Sequence, residues 1–222
     1  MTNVHPESRK EFQLERLILF TDAVFAIAIT LLIIEIKVPE FHGEEASEAA
    51  ILSYVAHLIP KFAGFFVSFM LIGMYWTRHH FLFGFVIDYT PKLIWLNMLF
   101  LLSIVLMPFS TGIFGEYSIP STIHLKTPLI IYVANVCFSG VMLFFLWRYV
   151  GTPANGVADP SLPQTVVRQA KQRAFVVSLV FGLTIVVAFI NPYAARYFPI
   201  LTPAFLKVAK RFNTPAANGP TD

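Results

Sequence analysis

Long apolar segments dominate the chain and are separated by short polar connections. A bilayer crossing needs about 20 apolar residues, and six segments meet or approach this length. They lie at roughly 15–38, 52–77, 90–114, 126–149, 172–191 and 194–209. The sixth contains Pro199 and Pro203, which a span tolerates only where neighbours satisfy the freed carbonyls, so a tilted or half-buried helix fits it as well as a full crossing. The pattern predicts an all-α, polytopic membrane protein of six transmembrane helices.

The composition agrees with this class and removes others. Of the 222 residues, 56% are hydrophobic and 13% are charged, against about 25% charged in an average soluble domain. The single cysteine, Cys137, excludes an intramolecular disulfide and a thiolate metal cluster. We therefore expect one six-helix transmembrane domain over residues 1–212, a disordered cytoplasmic tail over 213–222, no cofactor and no nucleic-acid partner.

Lysine and arginine fix the predicted orientation. With the N-terminus inside and six crossings, 12 of the 16 basic residues fall on the inner side, and only Lys37, Lys61, Lys126 and Arg196 fall outside. This asymmetry predicts a cell-membrane protein with both termini in the cytoplasm. The first 15 residues are polar and lack an apolar core, so we expect the first helix to be retained as an anchor. The inner loop at 151–165, rich in glycine and proline, is predicted to be a flexible linker.

The first helix carries an apolar stripe and a charged head. At about 100° per residue, Ala23, Ile27, Thr30 and Ile34 share one face, with Thr30 the only polar side chain between Ala23 and Ile34. From the residues alone, such a stripe is more often a packing surface, and a threonine often bonds back to its own helix.

The charged head needs partners on other helices. Arg16 and Asp22 are six residues apart, whereas only residues three or four apart meet along one helix. The predicted topology brings candidate donors to the same membrane face, at the end of the second helix and the start of the third. They are Trp76, Arg78, His79, His80, Trp95 and Asn97. On residues alone, Arg16 also fits a plain positive-inside anchor, and the histidines fit an interface as well as a proton sensor.

Several strings resemble one family. The sequence Arg16-x-x-x-Phe20-Thr21-Asp22, followed by AVFAIAITLLIIEI, resembles the R-x-x-x-F-[S/T]-D signature of the transmembrane protein 175 family, potassium channels of endolysosomes with shorter bacterial relatives. The segments WTRHH, LIWLN and MPFSTGIFGEY are similar to that family too, so the likeness spans most of residues 14–117. Thr21 stands where the motif usually has serine.

The resemblance implies a homotetramer whose pore is lined by the first helix of each subunit. It implies a hydrophobic constriction at Ile27, a hydroxyl layer at Thr30 and a second apolar ring at Ile34. Arg16, Phe20, Thr21 and Asp22 would join a structural polar network with Trp76, Asn97 and either His79 or His80. The permeant species would be potassium, among monovalent cations in a lipid bilayer.

The sequence contains no TVGYG-type segment that could form a carbonyl filter, so selectivity for potassium over sodium is expected to be weak. Two other function classes remain open at this point. A membrane enzyme would use Asp22, His79 and His80 as a metal or acid–base cluster, yet the chain lacks H-E-x-x-H and G-x-S-x-G. A secondary transporter would show ionisable groups near mid-span, where only Thr30 interrupts the first helix.

Overall fold

The structure is a computed structural model that describes residues 6–39 and 47–211. These residues form α-helices, short 3₁₀ turns and one isolated β-bridge. The helices are α1 (Pro6–Leu31), α2 (Glu48–Phe83), α3 (Pro91–Val105), α4 (Met107–Glu116), α5 (Lys126–Val150), α6 (Gln164–Ile190), α7 (Pro192–Tyr197) and α8 (Thr202–Arg211). The predicted tail at 213–222 lies outside the described residues.

Five of the six predicted spans are confirmed as helices long and apolar enough to cross a membrane. They are α1 with its 3₁₀ extension Leu32–Glu35, α2, α3 together with α4, α5, and α6. The third span is divided at Leu106 into α3 and α4, because Pro108 has no N–H to continue the hydrogen-bond ladder. The sequence thus folds into an all-helical, multi-pass membrane protein.

The sixth predicted span is divided into α7, a 3₁₀ turn at Phe198–Leu201 and α8. Pro199 and Pro203 stand at the breaks between these pieces, where each removes one backbone donor. The composite still returns along α6. At one end Arg196 Nη1 donates to Ser118 Oγ at 2.8 Å, and at the other Gln172 Nε2 donates to the Ala209 carbonyl at 2.6 Å.

The predicted flexible linker is wrong: the chain after α5 is an ordered loop. It contains a 3₁₀ turn at Pro153–Asn155 and an antiparallel bridge between Val86 and Ala158. Ile87 N–H donates to the Val157 carbonyl at 3.0 Å, and Asp159 N–H donates to the Phe85 carbonyl at 2.8 Å. Val157 is 1% exposed, so its burial contributes to holding the loop on the α2–α3 connection.

The start of α1 joins the same end of the molecule. Lys10 Nζ donates to Asp88 Oδ2 at 2.8 Å, in the connection between α2 and α3. This hydrogen bond, together with one from the Tyr89 backbone N–H, lowers the pKa of Asp88. The ends of α2 and α5 and the starts of α1, α3 and α6 therefore meet on one side of the bundle.

Candidate functional site

The first helix presents two different faces. Phe25, Ala28 and Leu32 are 3%, 2% and 0% exposed, because they pack into the core of the bundle. The face that carries the predicted stripe is open, with Ile27 58% and Ile34 67% exposed, and Ala23 and Thr30 also exposed. The helix therefore packs against the bundle through the side opposite the stripe.

The hydroxyl of Thr30 is held by its own helix. It donates to the Ile27 carbonyl at 2.8 Å and lies 3.0 Å from the Ala26 carbonyl. The proton is thus engaged with the backbone, and the oxygen keeps lone pairs that can accept a hydrogen bond or coordinate a cation. Thr30 is the one side-chain oxygen on the exposed stripe.

A buried hydrogen-bonded chain joins three helices below the stripe. Thr21 Oγ1 donates to the Leu17 carbonyl at 2.9 Å and accepts from Asn97 Nδ2 at 2.8 Å. Asn97 Oδ1 in turn accepts from His79 Nε2 at 2.7 Å. Thr21 and Asn97 are both 0% exposed. Among the described residues, none of these three side chains has a buried polar atom without a partner, so the hydrogen bonds fix α1, α2 and α3 against one another.

Aromatic rings enclose the imidazole of His79. The ring of Phe83 stacks on it at 4.1 Å, and the ring of Phe100 lies parallel to it at 5.5 Å, with 3° between their planes. Phe25 closes a third side at 6.1 Å. The histidine is 2% exposed, so its hydrogen bond to Asn97 sets the orientation of the ring.

A second contact joins α1 and α2 through the indole of Trp76. Its Nε1 donates to Asp22 Oδ1 at 2.9 Å, and the ring of His80 stacks on the indole at 5.4 Å. The two adjacent histidines thus face different partners. His79 belongs to the hydrogen-bonded chain, and His80 supports the tryptophan that reaches Asp22.

The structure does not bring Arg16 into this network. Its guanidinium lies 5.8 Å from the ring centre of Phe12 on the same helix, with no hydrogen bond or ion pair to the part of the chain that the structure describes. Phe20 is 48% exposed. The roles implied for these two residues stay predictions.

Further buried polar side chains were not predicted from the sequence. Thr111 Oγ1 donates to Ser68 Oγ at 2.7 Å, and Ser68 Oγ lies 3.1 Å from the Tyr132 hydroxyl, which links α2, α4 and α5. Asn135 donates to the Ser103 carbonyl at 3.1 Å. Small hydroxyl residues inside apolar segments were the available signal, since a membrane interior favours side-chain hydrogen bonds between helices.

At the opposite end of the stripe, Glu35 lies against α4. A Cβ atom placed on Gly112 would collide with the Glu35 carboxylate, so the glycine is what admits this side chain. Lys61 lines the same small cavity and pairs with Glu116 at 2.6 Å.

Comparison with known proteins gives one consistent family. Residues 16–108 match the family described as endosomal/lysosomal potassium channel TMEM175. A potassium channel of Streptomyces collinus is 32% identical over 178 residues, which cover 78% of this chain and 81% of the relative. A potassium channel of Chamaesiphon minutus is 30% identical over 171 residues, which cover 76% of this chain and 81% of the relative.

A solved structure agrees with the sequence relatives. The crystal structure of a lysosomal potassium-selective channel TMEM175 homolog from Chamaesiphon minutus matches with a TM-score of 0.72 at 25% identity, over 91% of this chain and 99% of that one. The family is one of channels and not of enzymes, which removes the membrane-enzyme alternative. The resemblance seen in the sequence is confirmed: this chain is a member of the TMEM175 family.

Proposed function

We propose that four copies of this chain form a potassium channel, weakly selective over sodium, with a hydrophobic constriction made by α1 instead of a carbonyl filter. Ile27 forms the constriction, Thr30 a hydroxyl layer and Ile34 a second apolar ring, with Ala23 on the same face. The named activity of the relatives supports potassium as the permeant ion. No cofactor takes part.

One observation carries the proposal: the stripe is exposed in the single subunit, while the opposite side of α1 is buried. Ile27 is 58% exposed and Leu32 0%. An unpartnered face that includes an alanine and a hydroxyl suits a surface shared around an axis. Ile27 and Thr30 are about 4.5 Å apart along the helix, and Ile27 and Ile34 about 10 Å. Rings at these heights would place the hydroxyl layer between two apolar ones.

Selection at such a constriction would follow the energy of dehydration. A narrow apolar ring expels water and closes the path by dewetting. A wider ring passes a cation that has lost part of its hydration shell, and potassium gives up water more readily than sodium. The Thr30 oxygens, with their protons turned to the Ala26 and Ile27 carbonyls, would replace part of the lost water.

The buried network has a structural role in this proposal. Trp76 binds α1 at Asp22, and Asn97, itself held by His79, binds α1 at Thr21, both within one to two turns of Ile27. They hold the helix in position from the side opposite the pore. Arg16 and Phe20 are assigned to the same anchoring region, where neighbouring subunits would supply further partners.

We also infer that both termini lie in the cytoplasm of a cell-membrane protein. The end where α1 begins carries most of the basic residues, as the positive-inside rule requires. The composite of α7, the 3₁₀ turn and α8 forms the sixth crossing, because its contacts with Ser118 and Gln172 lie at opposite ends of the bundle. It is also about as long as the stretch of α6 that it follows.

The proposal is tested by the current through purified protein in planar bilayers. We expect unitary steps and a reversal potential that favours potassium over sodium by a modest ratio. Ile27→Asn should wet the constriction and shift the reversal potential toward that of sodium. Ile59→Asn is the matched control, since Ile59 is 64% exposed but lies on α2 and not on the stripe.

Two outcomes would contradict the proposal. Saturable flux without unitary steps would favour the secondary transporter. Equal effects of Ile27→Asn and Ile59→Asn would remove the stripe from the ion path.

A separate variant tests the anchoring role. Asp22→Ala removes the acceptor of the Trp76 indole at 2.9 Å, so we expect less assembled protein on size-exclusion chromatography and an unchanged reversal potential in what assembles. A well-assembled channel with altered selectivity would place Asp22 in the ion path instead.

A further inference from the structure

An open cleft lies between the start of α3 and the end of α5, away from the exposed stripe of α1. Its volume is about 340 Å³, which falls in the range of small-molecule sites, roughly 300–1,000 Å³. It is lined by Lys92, Leu96, Phe145, Arg148 and Tyr149, and by the turn that follows α5. The ion-conduction proposal uses none of these residues.

The cleft is cationic. Lys92 and Arg148 are its charged lining residues, and no carboxylate lines it. Lys92 Nζ lies over the ring of Tyr149, 5.3 Å from its centre, and the Tyr149 hydroxyl is 2.9 Å from Thr90 Oγ1. The hydrogen bond to Thr90 thus holds in place the Tyr149 ring that the Lys92 ammonium contacts. The Arg148 guanidinium has no ion pair or hydrogen bond to the residues that the structure describes.

The acceptors that would repel an anion here are already occupied. The last carbonyls of a helix are normally unpaired and carry partial negative charge. In α5, the Arg148 carbonyl accepts from Thr152 Oγ1 at 2.7 Å, and the Tyr149 carbonyl accepts from Asn155 Nδ2 at 2.7 Å. Both donors belong to the turn that the Val86–Ala158 bridge holds in place. The cleft therefore presents two cations and few competing acceptors.

The charged and the apolar residues of the cleft lie at different depths along their helices. Lys92 and Arg148 lie at the ends of their helices, and Leu96 and Phe145 lie about one turn deeper in the apolar part of each helix. A phosphate group alone would use the cations and leave the apolar wall without a partner. A phospholipid uses both, because its acyl region continues from the headgroup into the hydrocarbon. Basic pockets between transmembrane helices bind anionic headgroups in this way.

We propose that this cleft binds a phosphate group, and that an anionic phospholipid of the leaflet at the basic end supplies it. Lys92 and Arg148 bind the phosphate oxygens, and Leu96 and Phe145 contact the start of the acyl chains. The lipid stabilises the packing of α3 against α5 and fastens the loop after α5 to the bilayer surface.

Native mass spectrometry of the purified full-length protein tests this directly. Phosphatidylglycerol or phosphatidylcholine is titrated into the detergent solution, and the first bound lipid is counted. We expect a preference for phosphatidylglycerol that falls about fivefold for Lys92→Gln or Arg148→Gln, and about 25-fold for the double variant. The matched control is Arg173→Gln/Lys207→Gln, which removes two exposed cations at the same end but outside the cleft. Lys92→Arg/Arg148→Lys keeps the charges and should keep the preference.

The outcomes separate the two sources of phosphate. Loss of the preference in the cleft double variant but not in the control supports the lipid. If the wild type shows no preference between the two lipids but binds glycerol phosphate, the lipid is overturned and the site takes a soluble phosphate. Equal losses in the cleft and control variants, or a wild type with neither a lipid preference nor binding of glycerol phosphate, would overturn the site. Should the double variant fail to fold, the single variants Lys92→Gln and Arg148→Gln decide, because each must lower the preference about fivefold and Arg173→Gln or Lys207→Gln alone must not.

Discussion

The buried chain from Thr21 through Asn97 to His79 allows a quantitative test. Asn97→Leu keeps a side chain of similar size but removes both of its hydrogen bonds, at 2.8 Å to Thr21 Oγ1 and at 2.7 Å to His79 Nε2. Thr21 keeps a bond to the Leu17 carbonyl. His79 keeps none within the described residues, because its remaining contacts there are with aromatic rings.

The size of the effect follows from these contacts. Hydrogen bonds between membrane helices contribute about 0.6 kcal/mol on average and up to about 1.7 kcal/mol. A buried donor left without an acceptor costs about 1–3 kcal/mol more. We therefore expect Asn97→Leu to lower the free energy of unfolding by about 2–4 kcal/mol. Thr21→Val should lower it by about 1.5–3.5 kcal/mol, since it breaks one of these bonds and leaves the Asn97 amide unpaired.

The assay is unfolding in mixed micelles with increasing dodecyl sulfate, followed by circular dichroism, for both single variants and the double variant. Because both changes break the same Thr21–Asn97 bond, the double variant should lose less than the sum, with a coupling of about 0.6–1.7 kcal/mol. Thr77→Val is the control. Its exposed hydroxyl bonds only to the Gly73 carbonyl of the same helix, so we expect a change within about 0.5 kcal/mol.

One result would refute this reasoning. If the two variants are additive within about 0.3–0.5 kcal/mol, the bond between Thr21 and Asn97 does not exist as an energetic unit. If the Asn97→Leu protein is at least as stable as the wild type, the hydrogen bond between Asn97 and His79 does not stabilise the fold.

Two further predictions concern the ordered loop and the start of α1. A Cβ on Gly151 would collide with Val167 Cγ1 and lie 2.8 Å from the Trp147 carbonyl oxygen, so Gly151→Ala should destabilise the protein by about 1–3 kcal/mol. Adding Val167→Ala removes the clash with the side chain but not the one with the carbonyl oxygen, so it should restore only part of this loss in the same unfolding assay. Full restoration would contradict the clash with the backbone. Asp88→Asn removes the ion pair with Lys10. The side chains of Lys10 and Asp88 are 59% and 33% exposed, so we expect the free energy of unfolding to fall by at most about 1 kcal/mol at pH 7. Because the pair lowers the pKa of Asp88, this loss should be the same at pH 5 and shrink only as the pH falls below the ordinary aspartate range; a loss that already shrinks between pH 7 and 5 would assign it to another group.

The sequence was sufficient where length and hydrophobicity decide the outcome. The five uninterrupted spans are helices because a backbone in lipid must satisfy its own hydrogen bonds. The segment 194–209 is harder to assign because two prolines and two basic residues break the apolar pattern. Its path became visible only through contacts such as Gln172 with Ala209.

The details of the site depended on tertiary contacts. The sequence left His79 and His80 equivalent, although they point about 100° apart on α2. The spacing of Trp76 and His80, one turn apart, was a usable signal for their stacking. Nothing local indicated that Asn97 would face His79. Glycine and proline predict a flexible loop after α5, but the burial of Val157 and Leu162 orders it.

The contact between the two loops has a consequence for how the chain is made. Val86 and Ala158 are 72 residues apart (158 − 86), so at about 5–20 residues per second the ribosome needs roughly 4–14 s to supply the second partner. By then α1, α2 and α3 have all been synthesised, and the chain of hydrogen bonds around Asn97 can already close. The loop contact can form only after α5 has entered the membrane. Biogenesis thus has an order, in which the helix that carries Ile27 is fixed early and the loop contact completes the subunit afterwards.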